Sequence, residues 1–386
     1  MIEKALKGEP RYYMWIVFLL AIIGVGFGCW LYQLNVGLGI TGMGRDISWG
    51  VYIGQFTYLV GVAASAVMIV IPLYLHNYRK YAKIIVFGEF LAIAAVTMCL
   101  LFIVVDIGQP QRMLNVVLHP TPNSILFWDM IVLSGYLLIN IIVGYNCLLA
   151  EAKKVPHPGW LKPFIYLSIP WAVSIHTVTA FLYAGLPGRH SWLTAVMAPR
   201  FLASAFASGP ALLIIVLLII ERVSKFDPGR DALQTIAKTV CYAMIVNLFL
   251  VGMEFFTAFY SNIPGHMHGL QYLFVGLHGH GKLVGWMWTA APFAFIGVLL
   301  LLIPPARRHH GILAFACASV FIACWIDKGV ALVIGGFIPN PFERITEYSA
   351  TFPEITIATA IWAIGALILT VLHKVAVTIR EEEAAT

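Results

Sequence analysis

His176 sits near the middle of the apolar stretch SIPWAVSIHTVTAFLYAG (168–185). At helical spacing Thr179 and Tyr183 share its face, with Ala172 and Ala180 between them. An imidazole so placed either hydrogen-bonds a neighbouring helix or serves redox and proton chemistry. Other apolar stretches carry partners of the same kinds. Tyr52, Gln55 and Tyr58 recur at three-residue steps, Asp106 is followed by Gln109 and Arg112, and Asp129 is continued at i+7 and i+11 by Tyr136 and Asn140. Glu254 lines up with Asn247 and Ser261 at seven-residue steps, Lys282 opens a later stretch, and Asp327 adjoins Lys328. Donors that also exchange protons, such as His, Tyr, Asp and Lys, suit the carbonyls of a lipid-soluble quinone held between aromatic and aliphatic walls. Structural ion pairs are the plainer alternative: Asp327 or Glu254 with Lys328, and Asp106 or Asp129 with Arg112.

The elements that position these groups follow from composition. The chain is 60% hydrophobic and 11% charged, with mean hydropathy +0.87, which marks an all-α multi-pass membrane protein. Ten runs are long enough to cross a bilayer, over 12–34, 50–75, 82–108, 123–150, 162–186, 199–223, 232–260, 279–304, 311–337 and 354–379. No polar linker between them is long enough for a soluble domain, so 1–386 reads as one polytopic unit. The first run is too long for a signal-peptide core and no A-x-A site follows it, so it is expected to be retained. Of the 24 Lys and Arg residues, 17 fall at one face, Lys4, Arg79 and Lys80 among them, and six at the other, with Lys328 inside a span. This bias predicts that both termini are cytoplasmic, and the +6 net charge describes topology rather than nucleic-acid binding.

On this topology most buried charge lies in the outer half of the bilayer, where the set argues for a polar cavity. Glu89 is the exception, alone in the inner half of its span, and reads either as a proton relay toward the cytoplasm or as the partner of a hydroxyl or loop base. The outer loops are the longer ones, and their pieces 192–197 and 270–277 would suit a cap lying on the membrane surface. The functional partner is expected on that face.

Six cysteines lie in apolar runs without a CxxC pair, which excludes a ferredoxin-type cluster within the chain and gives no disulfide framework. His176 is the only histidine deep inside a span, so a bis-histidine haem is not expected. The GHMHG and GLHGHG stretches read as surface loops rather than a metal site. Electrons would therefore arrive through a partner carrying iron–sulfur clusters or haem. A secondary transporter or proton-conducting subunit is the rival reading, to which Pro170, Pro210 and Pro292 would be suited, and a plain membrane anchor is a second.

The stretches WGVYIGQFTYLVGVAASAV (49–67), DIGQPQRMLNVVLHPTPNSILFWD (106–129) and IHTVTAFLYAGLPGRHSWLTAVMAPRFLASAFASGPA (175–211) resemble the NrfD/PsrC family of quinone-interacting membrane subunits. GMEFFTAFY (252–260) and DKG (327–329) fit the same pattern, and the likeness is greatest to its DsrP branch, which serves sulfite-reduction-associated complexes. The resemblance implies two four-helix bundles, about 50–186 and 199–337, flanked by single helices at 12–34 and 354–379. It implies a haem-free chain in a prokaryotic cytoplasmic membrane that oxidises or reduces a quinone, expected to be menaquinone, near the outer face. Electrons would be exchanged with a ferredoxin-like iron–sulfur subunit docked there, within a complex holding further cytochrome and membrane subunits, in dissimilatory sulfur metabolism. Carried onto this chain, it assigns ring protons to His176 and Asp129, quinone contacts to Gln55, Tyr58 and Tyr183, and the mouth to Asp106 and Arg112. Glu254, Asp327 and Lys328, with Glu89, would belong to a proton route.

Overall fold

In a hydrocarbon solvent every backbone N–H and C=O has to be satisfied within its own segment, so long apolar runs become helices. The computed structural model describes residues 3, 7–75 and 81–385; Lys4, Arg79 and Lys80, counted above, lie outside the described residues. Among the described residues, ten helices are long and apolar enough to span a membrane. They are α1 (Pro10–Val36), α2 (Val51–Val70), α3 (Ile85–Asp106), α4 (Ile125–Ala152), α5 (Leu161–Ala184), α6 (Met197–Val223), α7 (Arg230–Tyr260), α8 (Val284–Leu302), α9 (His310–Phe337) and α10 (Phe352–Ala385). Among the described residues there are no strands, only an isolated bridge between Leu277 and His280. That bridge closes a turn with positive φ at Gly276 and Gly279, so α8 begins at Val284 rather than 279 and Lys282 stands outside it.

Helices α2, α3, α4 and α5 pack as one ring and α6, α7, α8 and α9 as another, with α2 and α5 against α6 and α9 where the rings meet. The crossing there depends on missing side chains. A Cβ on Gly54 of α2 would lie 2.4 Å from the carbonyl oxygen of Gly329 in α9, and one on Gly209 of α6 would lie 3.0 Å from that of Val62. Two helices are irregular near this seam. α2 breaks into a turn over 64–66 before resuming at Val67, and α9 widens into a π-helix over Ile326–Ile334. The flanking helices α1 and α10 do not stand apart: they pair with each other, Gly26 against Ala360, and α10 also packs on α3.

The face carrying the 37–50, 107–124, 185–196, 261–283 and 338–351 connections is the loop-rich one, and the opposite face carries the basic connections. Trp192, expected on a surface piece, is instead fully buried: its indole donates to the Leu332 carbonyl at 2.7 Å, and its ring meets Trp49, Phe337 and Tyr183 at centroid distances of 5.8, 5.0 and 5.1 Å. An indole is too large an apolar body to leave in a loop that a core can absorb. The second expected surface piece is part of a loop helix, Pro264–Phe274, whose Tyr272 is buried. Glu354, at the start of α10, is buried and accepts from the Gly42 amide at 2.8 Å, the Tyr348 hydroxyl at 2.7 Å and the Thr351 amide at 2.8 Å.

Candidate functional site

The first turn of α6 carries Arg200 into the second ring, where its guanidinium donates to Glu254 of α7 through one terminal nitrogen and to Asp327 of α9 through the other. A planar fork can hold two carboxylates from different helices, which an ammonium holds less well. These three side chains line one end of a cavity of about 400 Å³ enclosed by α6, α7, α9 and the loop helix Pro264–Phe274. Its walls are largely apolar, including Leu270, Leu273, Phe274, Phe255 and Met287. Arg200 Nε and Asp327 Oδ2 are buried and have no protein partner, so this pair of lining residues keeps one spare donor and one spare acceptor. His266 lines the same cavity from the loop helix, held below the ordinary imidazole value by burial and then by the nearby His190, against the pull of Glu254.

Lys328 follows Asp327 in the π-helix and lies with its ammonium 4.2 Å from the centre of the Phe201 ring, without a hydrogen-bond partner. His176 of α5 is fully buried with neither ring nitrogen partnered. One turn along α5, Thr179 donates to Asp129 Oδ1 at 2.7 Å, and the Tyr183 hydroxyl shares a hydrogen bond with Thr57. The first ring thus gathers Asp129 and Tyr183 near His176 along α5, and the Tyr183 ring lies 6.0 Å from the Phe201 ring that Lys328 overlies.

Gln55 and Tyr58 are turned elsewhere. Gln55 Oε1 accepts from the indoles of Trp325 and Trp362, each at 2.9 Å, and the Tyr58 ring meets Phe321 edge-on at 5.2 Å. Their face of α2 looks toward α9 and α10, while Thr57 looks toward α5. The ion pairs expected from the sequence also differ. Glu254 and Asp327 pair with Arg200 rather than Lys328, and Asp129 takes Thr179 rather than Arg112. Arg112 stands exposed on the short turn Pro110–Arg112, and Asp106 at the end of α3 keeps one oxygen unpartnered. Glu89 is buried against Gly144 of α4, also with an unpartnered oxygen.

Arg200 is the residue that sequence reasoning missed, having been counted among the charges of the loop-rich connections. The available signal was stoichiometric: Glu254 and Asp327 lie at a similar depth, and the single intramembrane lysine cannot neutralise both.

The profile of the family described as "Polysulphide reductase, NrfD" matches residues 39–338. The chain is 25% identical to a candidate membrane subunit of the dimethyl sulfoxide reductase of Halobacterium salinarum, over 92% of this chain and 89% of that one. It is 24% identical to the Hdr-like menaquinol oxidoreductase integral membrane subunit of Archaeoglobus fulgidus, over 70% of this chain and 67% of that one. A menaquinone reductase integral membrane subunit of Nitratidesulfovibrio vulgaris is 22% identical over 94% of this chain and 91% of its own length.

Proposed function

The chain belongs to the polysulphide reductase NrfD family, and from that premise we propose that it is the quinone-reactive membrane subunit of a respiratory oxidoreductase complex. Two of the relatives are named for menaquinol or menaquinone, which supports menaquinone as the quinone here. The observation that carries the reading is the largely apolar cavity lined by Arg200 and Asp327, each of which keeps a buried polar atom without a protein partner. This donor set fits a quinone. Arg200 would offer its free Nε–H to a carbonyl oxygen and Asp327 its free Oδ2 to a quinol hydroxyl, while Leu270, Leu273 and Phe274 exclude water. A bound quinone would supply two-electron, two-proton chemistry. Lys328 lies beside Phe201 without a hydrogen-bond partner, and His176 and Asp129 of the first ring handle protons rather than touch the quinone.

Electrons would pass to or from a ferredoxin-like iron–sulfur subunit docked on the loop-rich face, within a complex containing further cytochrome and membrane subunits. On the charge bias that face is the outer one of a prokaryotic cytoplasmic membrane, with both termini cytoplasmic. The resemblance to the DsrP branch supports a role in dissimilatory sulfur metabolism.

The test is a titration of the purified protein with a menaquinol analogue, read by quenching of tryptophan fluorescence. Binding in the micromolar range, about 8 kcal/mol, is expected in the parent. It should weaken at least about tenfold in Arg200→Met and in the cavity-filling Ala331→Leu, and persist in a folded His176→Phe variant. The opposite pattern would move the head group to His176 and Asp129 in the first ring. No binding to the folded parent, together with ion flux independent of quinone, would favour the transporter reading, which the proline-interrupted α5, α6 and α8 support.

A further inference from the structure

We infer that the first ring binds an anionic phospholipid at its basic face, in a cavity lined by Lys154 that receives the phosphate of the head group. The inference is independent of the quinone reading and concerns the opposite end of the molecule. The 71–75 segment after α2, the start of α3 and the end of α4 border an open cavity of about 470 Å³. Leu73, Ala82, Ile85 and Ala150 give it apolar lining, and Lys154 and His157 line it from the connection after α4.

The way α4 ends holds Lys154 in place. Past the capping residue Lys153, the Lys154 amide donates to the Glu151 carbonyl at 2.9 Å and the Val155 amide to the Ala150 carbonyl at 3.1 Å. This pairing turns residue 154 into the left-handed region, at φ 53°, where helix ends ordinarily place glycine. Lysine at that position carries backbone strain that glycine would not, and strain kept at one non-glycine residue is the mark of a side chain with a task. Ala150, Lys154 and Val155, three of the residues that build this helix end, also line the cavity.

Charge and lining select the occupant. Glu151 is the one acid among the described residues that line the cavity, and Arg380 of α10 takes both of its oxygens, at 2.8 and 3.2 Å. Arg380 is itself fixed: it donates to the Lys83 carbonyl and lies over the Phe87 and Phe226 rings at 4.8 and 5.2 Å. With that carboxylate neutralised, the Lys154 ammonium sets the sign of the cavity, and exposed Lys153 beside it and Lys162 at the start of α5 extend the positive field. A positive cavity with apolar lining matches a phosphodiester joined to hydrocarbon chains, whereas free phosphate would leave the apolar part wet. Trp160, 55% exposed on the same connection, stands where indoles mark the level of lipid head groups.

The full-length protein, purified and delipidated in mild detergent, tests this. Dioleoyl phosphatidylglycerol is the probe, dioleoyl phosphatidylcholine the neutral control and inorganic phosphate the control without chains. Bound lipid is counted by native mass spectrometry while the thermal midpoint is followed. Phosphatidylglycerol should saturate at about one tight site per chain, at least about tenfold tighter than phosphatidylcholine, and raise the midpoint, while inorganic phosphate leaves the midpoint unmoved. Lys154→Gly relieves the backbone, so without lipid it should melt no lower than the parent, yet bind phosphatidylglycerol at least about fivefold more weakly. Lys154→Gln, which keeps the strain, should lose as much binding. Lys225→Gln removes one charge from the same face outside the cavity and should leave binding within about twofold. No saturable binding, equal affinity for the two lipids, or equal losses in Lys154→Gln and Lys225→Gln overturns the site. A midpoint raised as far by inorganic phosphate as by phosphatidylglycerol overturns the lipid as its occupant.

Discussion

Removing the guanidinium of Arg200 would leave the carboxylates of Glu254 and Asp327 facing a largely apolar cavity with no cation between them. Breaking such a pair from one side costs about 3–5 kcal/mol, whereas neutralising all its members together costs far less. Arg200→Leu should therefore lower the thermal midpoint of the detergent-solubilised protein sharply, and adding Glu254→Gln and Asp327→Asn should restore most of it. A triple variant no more stable than the single one would mean that packing, not charge, is what Arg200 provides. Gln55 gives a second case at this scale. Its oxygen holds two indoles, so Gln55→Leu strands two N–H groups at about 1–3 kcal/mol each, read by the same melt, without altering quinone-analogue affinity. The sequence made the polar cast legible, including the buried cluster of His176, Asp129 and Tyr183. It did not show which way each residue turns about its helix axis. Spacing places Gln55 and Thr57 two residues apart, and only packing decides that one meets α9 and α10 while the other meets α5.

Helices α2 and α9 approach each other at Gly54 and Gly329, and the contact is asymmetric. A Cβ on Gly54 would stand 2.4 Å from backbone, one on Gly329 3.1 Å. Gly54→Ala should cost about 1–3 kcal/mol and Gly329→Ala less, in unfolding measured under one detergent condition. The order reversed would mean that the π-helix cannot yield around the new methyl. The loop after α9 has its own fastening. Burial pushes Glu347 up, but the Lys282 amide, His280 and Tyr272 outweigh it and hold its carboxyl below the ordinary carboxylate value of 4.5. A carboxylate depressed in the folded state stabilises above that value, and the contribution is lost as pH falls through the lower, folded value. Amide protection factors over 340–351, corrected for intrinsic exchange, should therefore fall as pH drops below about 4.5, and Glu347→Gln should abolish that acid step. None of this fastening was legible in sequence, because Glu347 meets Lys282 and Tyr272 across more than 60 residues of chain.

Across the whole molecule, hydropathy and length located ten helices to within a few residues, because the bilayer fixes how long an apolar run has to be. Their partners were less legible. Apolar helices in lipid choose neighbours through small residues and a few buried hydrogen bonds, which carry no periodic signal. The pairing of α1 with α10 is the clearest instance: it rests on Gly26 beneath Ala360 and a hydrogen bond from the Trp15 indole to Thr370 at 3.1 Å. Its consequence belongs to biosynthesis. α1 is made more than 300 residues before its main partner α10, and Gln33, bonded to Tyr52 and to the Val105 carbonyl, is what moors α1 to α2 and α3 meanwhile. Arrival of α10, rather than insertion of α1 itself, is then the event that completes the packing of α1.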